Sequence, residues 1–339
     1  MRLVVVTQQV DPESPVLGAT VAKLRALAER VDEIVVLADS AVADALPANA
    51  RVRLFRASTK PGRGVRFESA LAAELRRSPR PAAVLAHMCP IYAVLAAPLA
   101  RPLGTRVLLW FTHWRASRLL RLAERVSTTV VSVDRGSFPV PSRKLVAIGH
   151  GIDLTDFACV DHVRSGPPRL LALGRTSPAK GLPTVIRAVS ELPDATLAVV
   201  GPSLTDEERR HRVDLDALVD ELGLRSRVRL GDAVPRVEVP VLLAGADALV
   251  NNMRAGAPDK VVYEAAATCL PVLASNPVFE GFLPDELRFP RDDPAALAAR
   301  IRGLEALDLP AIGRCLREQV VRGHSVESWA DRILELATR

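Results

Sequence analysis

An arginine and a lysine stand five residues apart in the stretch GRTSPAKG, Gly174 to Gly181, bracketed by glycines. The stretch follows the apolar run PRLLAL and precedes LPTVIRAVSEL, so the two cations fall between an expected strand and an expected helix. Two such cations suit an anion. A guanidinium offers phosphate a planar fork, and an ammonium offers a point charge. The stretch is not a Walker loop, in which Lys-Ser/Thr follows the second glycine, because Lys180 precedes Gly181 and Leu182 comes next. A dinucleotide G-x-G-x-x-G fingerprint is absent. Taken alone, the stretch also reads as a strand–helix turn with two solvated cations, so the surrounding elements must decide.

Those elements alternate. Short apolar runs occur at 2–7, 33–38, 51–55, 82–87, 105–111, 128–133 and 144–148, with amphipathic stretches such as TVAKLRALAERV between several of them. Buried strands alternating with helices imply a parallel sheet covered on both faces. The pattern stops at FACVDHVRSGPPR, which is polar and rich in Pro and Gly, and restarts with RLLALG, ATLAVVG, RVRLGD, ADALVNN, LPVLAS and LRFP. The fold class expected is α/β, with two doubly wound, Rossmann-like domains: 1–157, a linker at 158–168, and 169–323. Ligands of such sheets bind beyond the carboxyl ends of the strands, which is where GRTSPAKG lies.

The 339 residues suffice for two domains, and a net charge of +6 favours acidic partners. Aromatic residues make up only 4%, leaving few platforms for stacking bases, and no nucleic-acid-binding module is recognisable, so nucleic acid is not expected as a partner. Cys89, Cys159, Cys269 and Cys315 are far apart and form no C-x-x-C pair. They are expected as small buried hydrophobes without disulfide or zinc, in keeping with a reducing cytoplasm. The N-terminal apolar run is too short for a signal peptide. Residues 81–100 carry no Asp, Glu, Lys or Arg, but His87, Pro90 and Pro98 interrupt them. They read as a strand at 82–87, a turn at Pro90 and a helix from Ile91 rather than as a membrane span.

The second half resembles the retaining glycosyltransferases of family 4, which have the GT-B fold of two such domains facing a cleft. The resemblance is carried by LLALGRTSPAKGLPTVIRAVSEL, ATLAVVGP and VVYEAAATCLPVLAS, and earlier by VVSVDRGSF and KLVAIGHGIDLTDF. It implies a nucleoside-diphosphate sugar as donor. Gly174, Arg175 and Lys180 then hold the diphosphate, and the two cations stabilise the charge that grows on the leaving group, a task other transferases give to a metal. No metal-binding triad is read, so a metal-independent site without further cofactor is expected. By resemblance Glu264 binds the ribose hydroxyls; a helix-start glutamate favoured by the helix dipole is the alternative. Gly256 stands where the family's first E-x7-E glutamate would touch the donor sugar, which leaves the sugar's identity open. Lys260 is a candidate third phosphate contact or a solvated lysine.

In the first half, Gly18 matches a glycine of the family loop whose backbone N–H groups approach the donor. His113, in LLWFTHWRAS, matches a histidine near the reacting sugar, and His87 is a weaker candidate. In WRASRLLRLAERV, Arg118, Arg121 and Arg125 fall within about 60° of one another on a helix, while Leu119, Leu122 and Val126 share another face. That pattern fits a helix packed on the core with a solvated face, or one lying on an anionic membrane. HSVESWADRILEL resembles the family's last helix, 324–339, which crosses back to the first domain with Trp329 as anchor. The expected activity is transfer of a hexose-type sugar, with retention, to a saccharide or lipid-linked acceptor in the cytoplasm, with contact at the inner membrane face left open. A non-catalytic GT-B partner subunit and a GT-B epimerase are the alternatives.

Overall fold

A computed structural model describes residues 1–14, 17–162 and 166–339 of the protein. The chain divides into two compact units: residues Met1–Asp153 with Gly323–Arg339, and Leu154–Arg322.

The first unit runs β1 (Arg2–Val10), α1 (Ala19–Ala28), β2 (Glu33–Ala41), β3 (Ala50–Leu54), α2 (Lys60–Leu75), β4 (Ala83–His87), α3 (Pro90–Ala100), β5 (Arg106–Trp110), α4 (Arg118–Val126), β6 (Thr129–Ser132) and β7 (Leu145–Ala147). The strands form one parallel sheet in the order β3-β2-β1-β4-β5-β6-β7, which reverses direction between β1 and β4. Period-2 alternation divides the apolar residues between its two faces. Val4, Val6, Val84, Ala86, Val107 and Leu109 join Phe67, Leu71, Ala93, Leu120 and Ala123 of α2, α3 and α4 in one core. Leu3, Val5, Leu85, Leu108 and Trp110, in the opposite phase, are equally buried. A sheet covered on both sides needs such continuous apolar strands.

The second unit runs β8 (Arg169–Leu173), α5 (Leu182–Ser190), β9 (Thr196–Val200), α6 (Asp206–Glu221), β10 (Val228–Gly231), α7 (Val239–Ala244), β11 (Ala248–Asn251), α8 (Lys260–Ala267), β12 (Val272–Ala274), α9 (Pro294–Gly303) and α10 (Leu309–Gly323). Its parallel sheet has the order β10-β9-β8-β11-β12 and reverses between β8 and β11. The expected strand at LRFP is reduced to a single bridge, Ala274 with Arg288. Two short helical turns, Pro277–Phe279 and Asp285–Leu287, consume the chain that a longer pairing would need.

A last helix, α11 (Val326–Thr338), belongs to the first unit and packs against α1 and β5. Trp329 is buried there, edge-on to Trp110 at 5.5 Å, and the Lys23 ammonium lies 4.7 Å from the Trp110 ring.

One expectation is corrected, and it concerns the cysteines. Within the stretch read as a linker, Cys159 forms a disulfide with Cys269, Val160 N–H donates to the Thr268 carbonyl, and Asp161 pairs with Arg314, all in the second unit. Residues 163–165 of that stretch lie outside the described residues. The disulfide overturns the reading of all four cysteines as unpaired. The two residues are 110 apart in sequence, and only the run of 157–162 beside the end of α8 brings their Cα atoms to 5.0 Å. Cys89 is buried as expected, with its thiol pushed up to about 12 by burial, whereas Cys315 is exposed. Among the described residues no helix is long and apolar enough to cross a membrane.

Candidate functional site

The GRTSPAKG stretch leaves the carboxyl end of β8. Gly174 has φ +120°, a conformation open to glycine, and a Cβ there would stand 2.6 Å from the Lys180 ammonium. The glycine therefore lets the loop fold Lys180 back across the strand end. A short turn, Pro178–Lys180, capped by the Ser177 hydroxyl, leads to Gly181 at φ +57° and into α5.

Lys180 Nζ donates to the Leu173 carbonyl at 3.1 Å and pairs with the Asp259 carboxylate. Asp259 also accepts from Asn251 Nδ2 at 2.8 Å, and Asn251 is the last residue of β11. The neighbouring Asn252 donates to the Gly181 carbonyl at 3.0 Å. Buried Oδ1 atoms of both asparagines have no partner. Lys180, Asp259, Asn251 and Asn252 thus converge where β8 and β11 lie side by side, at the point of strand-order reversal.

Arg175 points elsewhere along the same edge. Its guanidinium meets Glu208 at 2.5 Å. Glu208 is buried and also closes the capping box of α6 with Thr205. Glu264 lies in α8, buried, with Arg236 and Lys260 each 2.9 Å from its Oε1 atom. Burial raises its carboxyl pKa, but the charges of Lys260 and Arg236 outweigh this and hold it below the ordinary value. Lys260, offered from the sequence as a phosphate contact or a solvated lysine, is occupied by this i,i+4 pair.

The family's first glutamate would fall at Gly256, which has φ +122°. A glutamate is strained in that conformation, so the departure involves the backbone and not only a missing side chain. One Asp-x-Asp string, Asp214-Leu215-Asp216, lies within α6, where Leu215 is buried and Asp216 pairs with Arg225. Among the described residues no cluster of three or more His, Cys, Asp or Glu is arranged to hold a metal.

In the first unit Gly18 precedes α1, and a Cβ there would fall 2.5 Å from the Pro12 carbonyl oxygen, so this turn has room only for glycine. Residues 15 and 16 of the same loop lie outside the described residues. His113 follows β5, half-buried and stacked on Trp114. Its Nδ1 accepts the Arg115 backbone N–H at 2.9 Å, which leaves the proton of the neutral ring on Nε2. Burial, and then the Arg115 charge, lower its pKa, so it is a neutral hydrogen-bond donor at pH 7. His87 is buried at the end of β4, stacked on Trp110, with neither ring nitrogen partnered.

The structure brings Lys180 into one cluster with residues that the sequence had not singled out, Asp259, Asn251 and Asn252. It also supplies the partners of Arg175 and Glu264, namely Glu208 and Arg236. The paired asparagines closing an apolar strand in ADALVNN were the available signal, since buried amides at a strand's carboxyl end await hydrogen-bond partners.

Residues 160–306 match the family model described as Glycosyl transferases group 1. A 174-residue stretch is 28% identical to D-inositol 3-phosphate glycosyltransferase of Corynebacterium glutamicum, covering 48% of this chain and 34% of the relative, so the match spans about a third of that protein's length. Among solved structures, sucrose-phosphate synthase from Thermosynechococcus elongatus superposes with TM-score 0.78 at 18% identity, over 99% of this chain and 98% of that one. Anabaena HepE in complex with UDP and glucose superposes with TM-score 0.79 at 16% identity, over 99% of both chains. At such identities the likeness establishes the fold: two Rossmann-like α/β domains, as in GT-B glycosyltransferases.

Proposed function

We propose that the protein is a glycosyltransferase that moves a hexose-type sugar from a nucleoside diphosphate to an acceptor hydroxyl, with retention and without a metal. One observation carries this reading. Lys180 stands at the carboxyl ends of β8 and β11, where the strand order reverses, Arg175 follows on the loop that leaves β8, and each faces a carboxylate that a diphosphate can replace. The group 1 match over the same unit and the UDP bound by a structural neighbour support it.

In this reading Lys180 and Arg175 exchange Asp259 and Glu208 for phosphate oxygens. As the glycosidic C–O bond breaks, the electron pair goes to the leaving diphosphate, and the two fixed cations stabilise it. The acceptor hydroxyl loses its proton to a donor phosphate oxygen and attacks from the leaving side, so no covalent nucleophile is required of the protein. Glu264 accepts ribose hydroxyls through Oε2 while Arg236 and Lys260 hold Oε1. His113 donates Nε2–H to a sugar hydroxyl, and the backbone near Gly18 serves the donor. No resident cofactor is assigned. The acceptor is a saccharide or a lipid-linked saccharide.

The test is a binding and turnover screen of UDP-, GDP-, ADP- and dTDP-sugars with excess EDTA, followed by NMR of the product's anomeric proton. Binding of one donor, EDTA-resistant transfer and retained configuration are expected. Full loss of activity restored by magnesium or manganese would overturn the metal-independent assignment. The glycine backbone at 256 favours a second reading, a nucleotide-binding partner subunit without turnover. Saturable donor binding with no product from any acceptor would select it.

A further inference from the structure

The helix α4 carries leucines on two sides. Its buried residues are Leu120 and Ala123, which join the core against α3. Leu119 and Leu122, which a core-packed reading would bury, are 38% and 45% exposed. Beside them stand Arg118, Arg121 and Arg125, all exposed. Around the helix axis Arg121, Arg125, Arg118, Leu122 and Leu119 follow one another within an arc of about 160°, while Val126 in the same arc is partly buried against the core. The outward face is therefore a basic flank grading into an apolar one.

None of the three arginines has an ion-pair partner among the described residues, although many other arginines of the chain do. The one acidic residue of the helix, Glu124, is held on another side by the Ser142 hydroxyl at 2.7 Å. The last carbonyls of the helix are satisfied by Lys144 Nζ, at 3.0 Å from Glu124, 2.9 Å from Arg125 and 3.1 Å from Ser127. The arginines are thus not needed as a C-terminal cap. Arg101 donates to the Val126 carbonyl, which sets its turn, with the exposed Leu103, at that end of the helix. Just before the helix, Trp114 is 37% exposed beside Arg115.

We infer that this face, from Trp114 through α4 to Leu103, docks on the surface of an anionic lipid bilayer. A solvated helix face does not need exposed leucines beside its arginines. A bilayer interface accepts both at once: leucine and tryptophan side chains enter the headgroup–acyl boundary, while guanidinium groups stay level with lipid phosphates. Unpaired arginines need not break ion pairs to do so. The helix binds flat, because its opposite side is committed to the core. The inference stands apart from the catalytic reading, since docking needs neither donor nor turnover.

The test is co-sedimentation of the full chain with phosphatidylcholine vesicles and with mixed phosphatidylcholine–phosphatidylglycerol vesicles, at low and high salt. Binding to mixed vesicles only, weakened by salt, is expected. R118Q/R121Q/R125Q should lower the partition constant roughly 100-fold, from about 1 kcal/mol per arginine. L119S/L122S should lower it roughly tenfold and leave the salt dependence in place. Because the whole chain is basic, R187Q/R210Q/R229Q in the second unit serves as control and should bind nearly as the unaltered chain does. Failure of the unaltered chain to sediment with mixed vesicles at low salt, full binding by the first triple variant, or an equal loss in the control would each overturn the inference. Circular dichroism of every variant separates loss of binding from loss of fold.

Discussion

Lys180 already has a carboxylate, a carbonyl and a glycine arranged around it before any ligand arrives. This shapes what its removal should do. If it serves the departing diphosphate, the charge it faces is greatest in the transition state, and interactions that strengthen there raise kcat, whereas uniform binding changes only KM. Lys180→Ala and Arg175→Ala should each lower kcat about 10²–10³-fold with a smaller loss in donor affinity. Glu264→Ala should instead weaken nucleotide binding about 10–100-fold, the worth of a hydrogen bond to a charged group. A Lys180→Ala enzyme with undiminished kcat and an intact fold would refute the role. Glu264 carries a second expectation. Its folded pKa is below the usual 4.5, so the stability it contributes is present above that pH and is lost as pH falls through the folded value. Glu74, bound by Arg2, Arg51, Arg53 and Arg77, has the same sign. Melting temperature should therefore fall steadily below pH 4.5, and a flat profile there would show that neither pair matters. Arg175, Lys180 and Glu264 could be singled out as candidates because each lies in a contiguous string whose neighbours carry the pattern. Glu208, Arg236, Asn251 and Asp259 were not, since strand order rather than sequence distance brings them in.

Strand–helix alternation was legible throughout the first unit because a parallel sheet demands unbroken apolar runs, and all seven expected strands are present. The same reasoning failed at LRFP, where four residues of the right type lack the length to pair. It also failed at α4, where spacing identified two stripes, whereas the residues buried in the core, Leu120 and Ala123, lie on neither. The cysteines were misread for a related reason: pairing is a property of where elements end, and nothing local to Cys159 points to the turn after α8. Alkylation in denaturant without reductant should label two thiols, those of Cys89 and Cys315, and all four only after reduction. Four labelled thiols without reductant would show the bridge is not formed in the protein as isolated. Reduction should lower stability by about 2–4 kcal/mol, the usual worth of a bridge, read as an earlier denaturant midpoint for the second unit.

The first unit is assembled from two stretches of chain. Residues 1–153 build its sheet, and 323–339 complete it, with Ile152 N–H donating to the His324 carbonyl at 2.7 Å and Val326 N–H donating to the Ile152 carbonyl at 2.8 Å. Gly149, at φ +79°, passes so near Gly323 that a side chain there would strike its carbonyl. Without the final stretch Trp110 and Lys23 lose Trp329, and Trp329→Ala alone should cost about 3–5 kcal/mol, as large aromatic truncations do. Truncation after Arg322 should abolish the first unit's cooperative melt. Excising 154–322 and bridging Asp153 to Gly323 with a short Gly/Ser link should preserve it, and an unfolded excision product would refute this. The contact between Ile152 and the start of α11 then has a meaning in time. The second unit is an insertion, complete in the nascent chain before its host. As the ribosome delivers residues in order, the half made first must wait, its tryptophan pocket open, for the last helix to be translated.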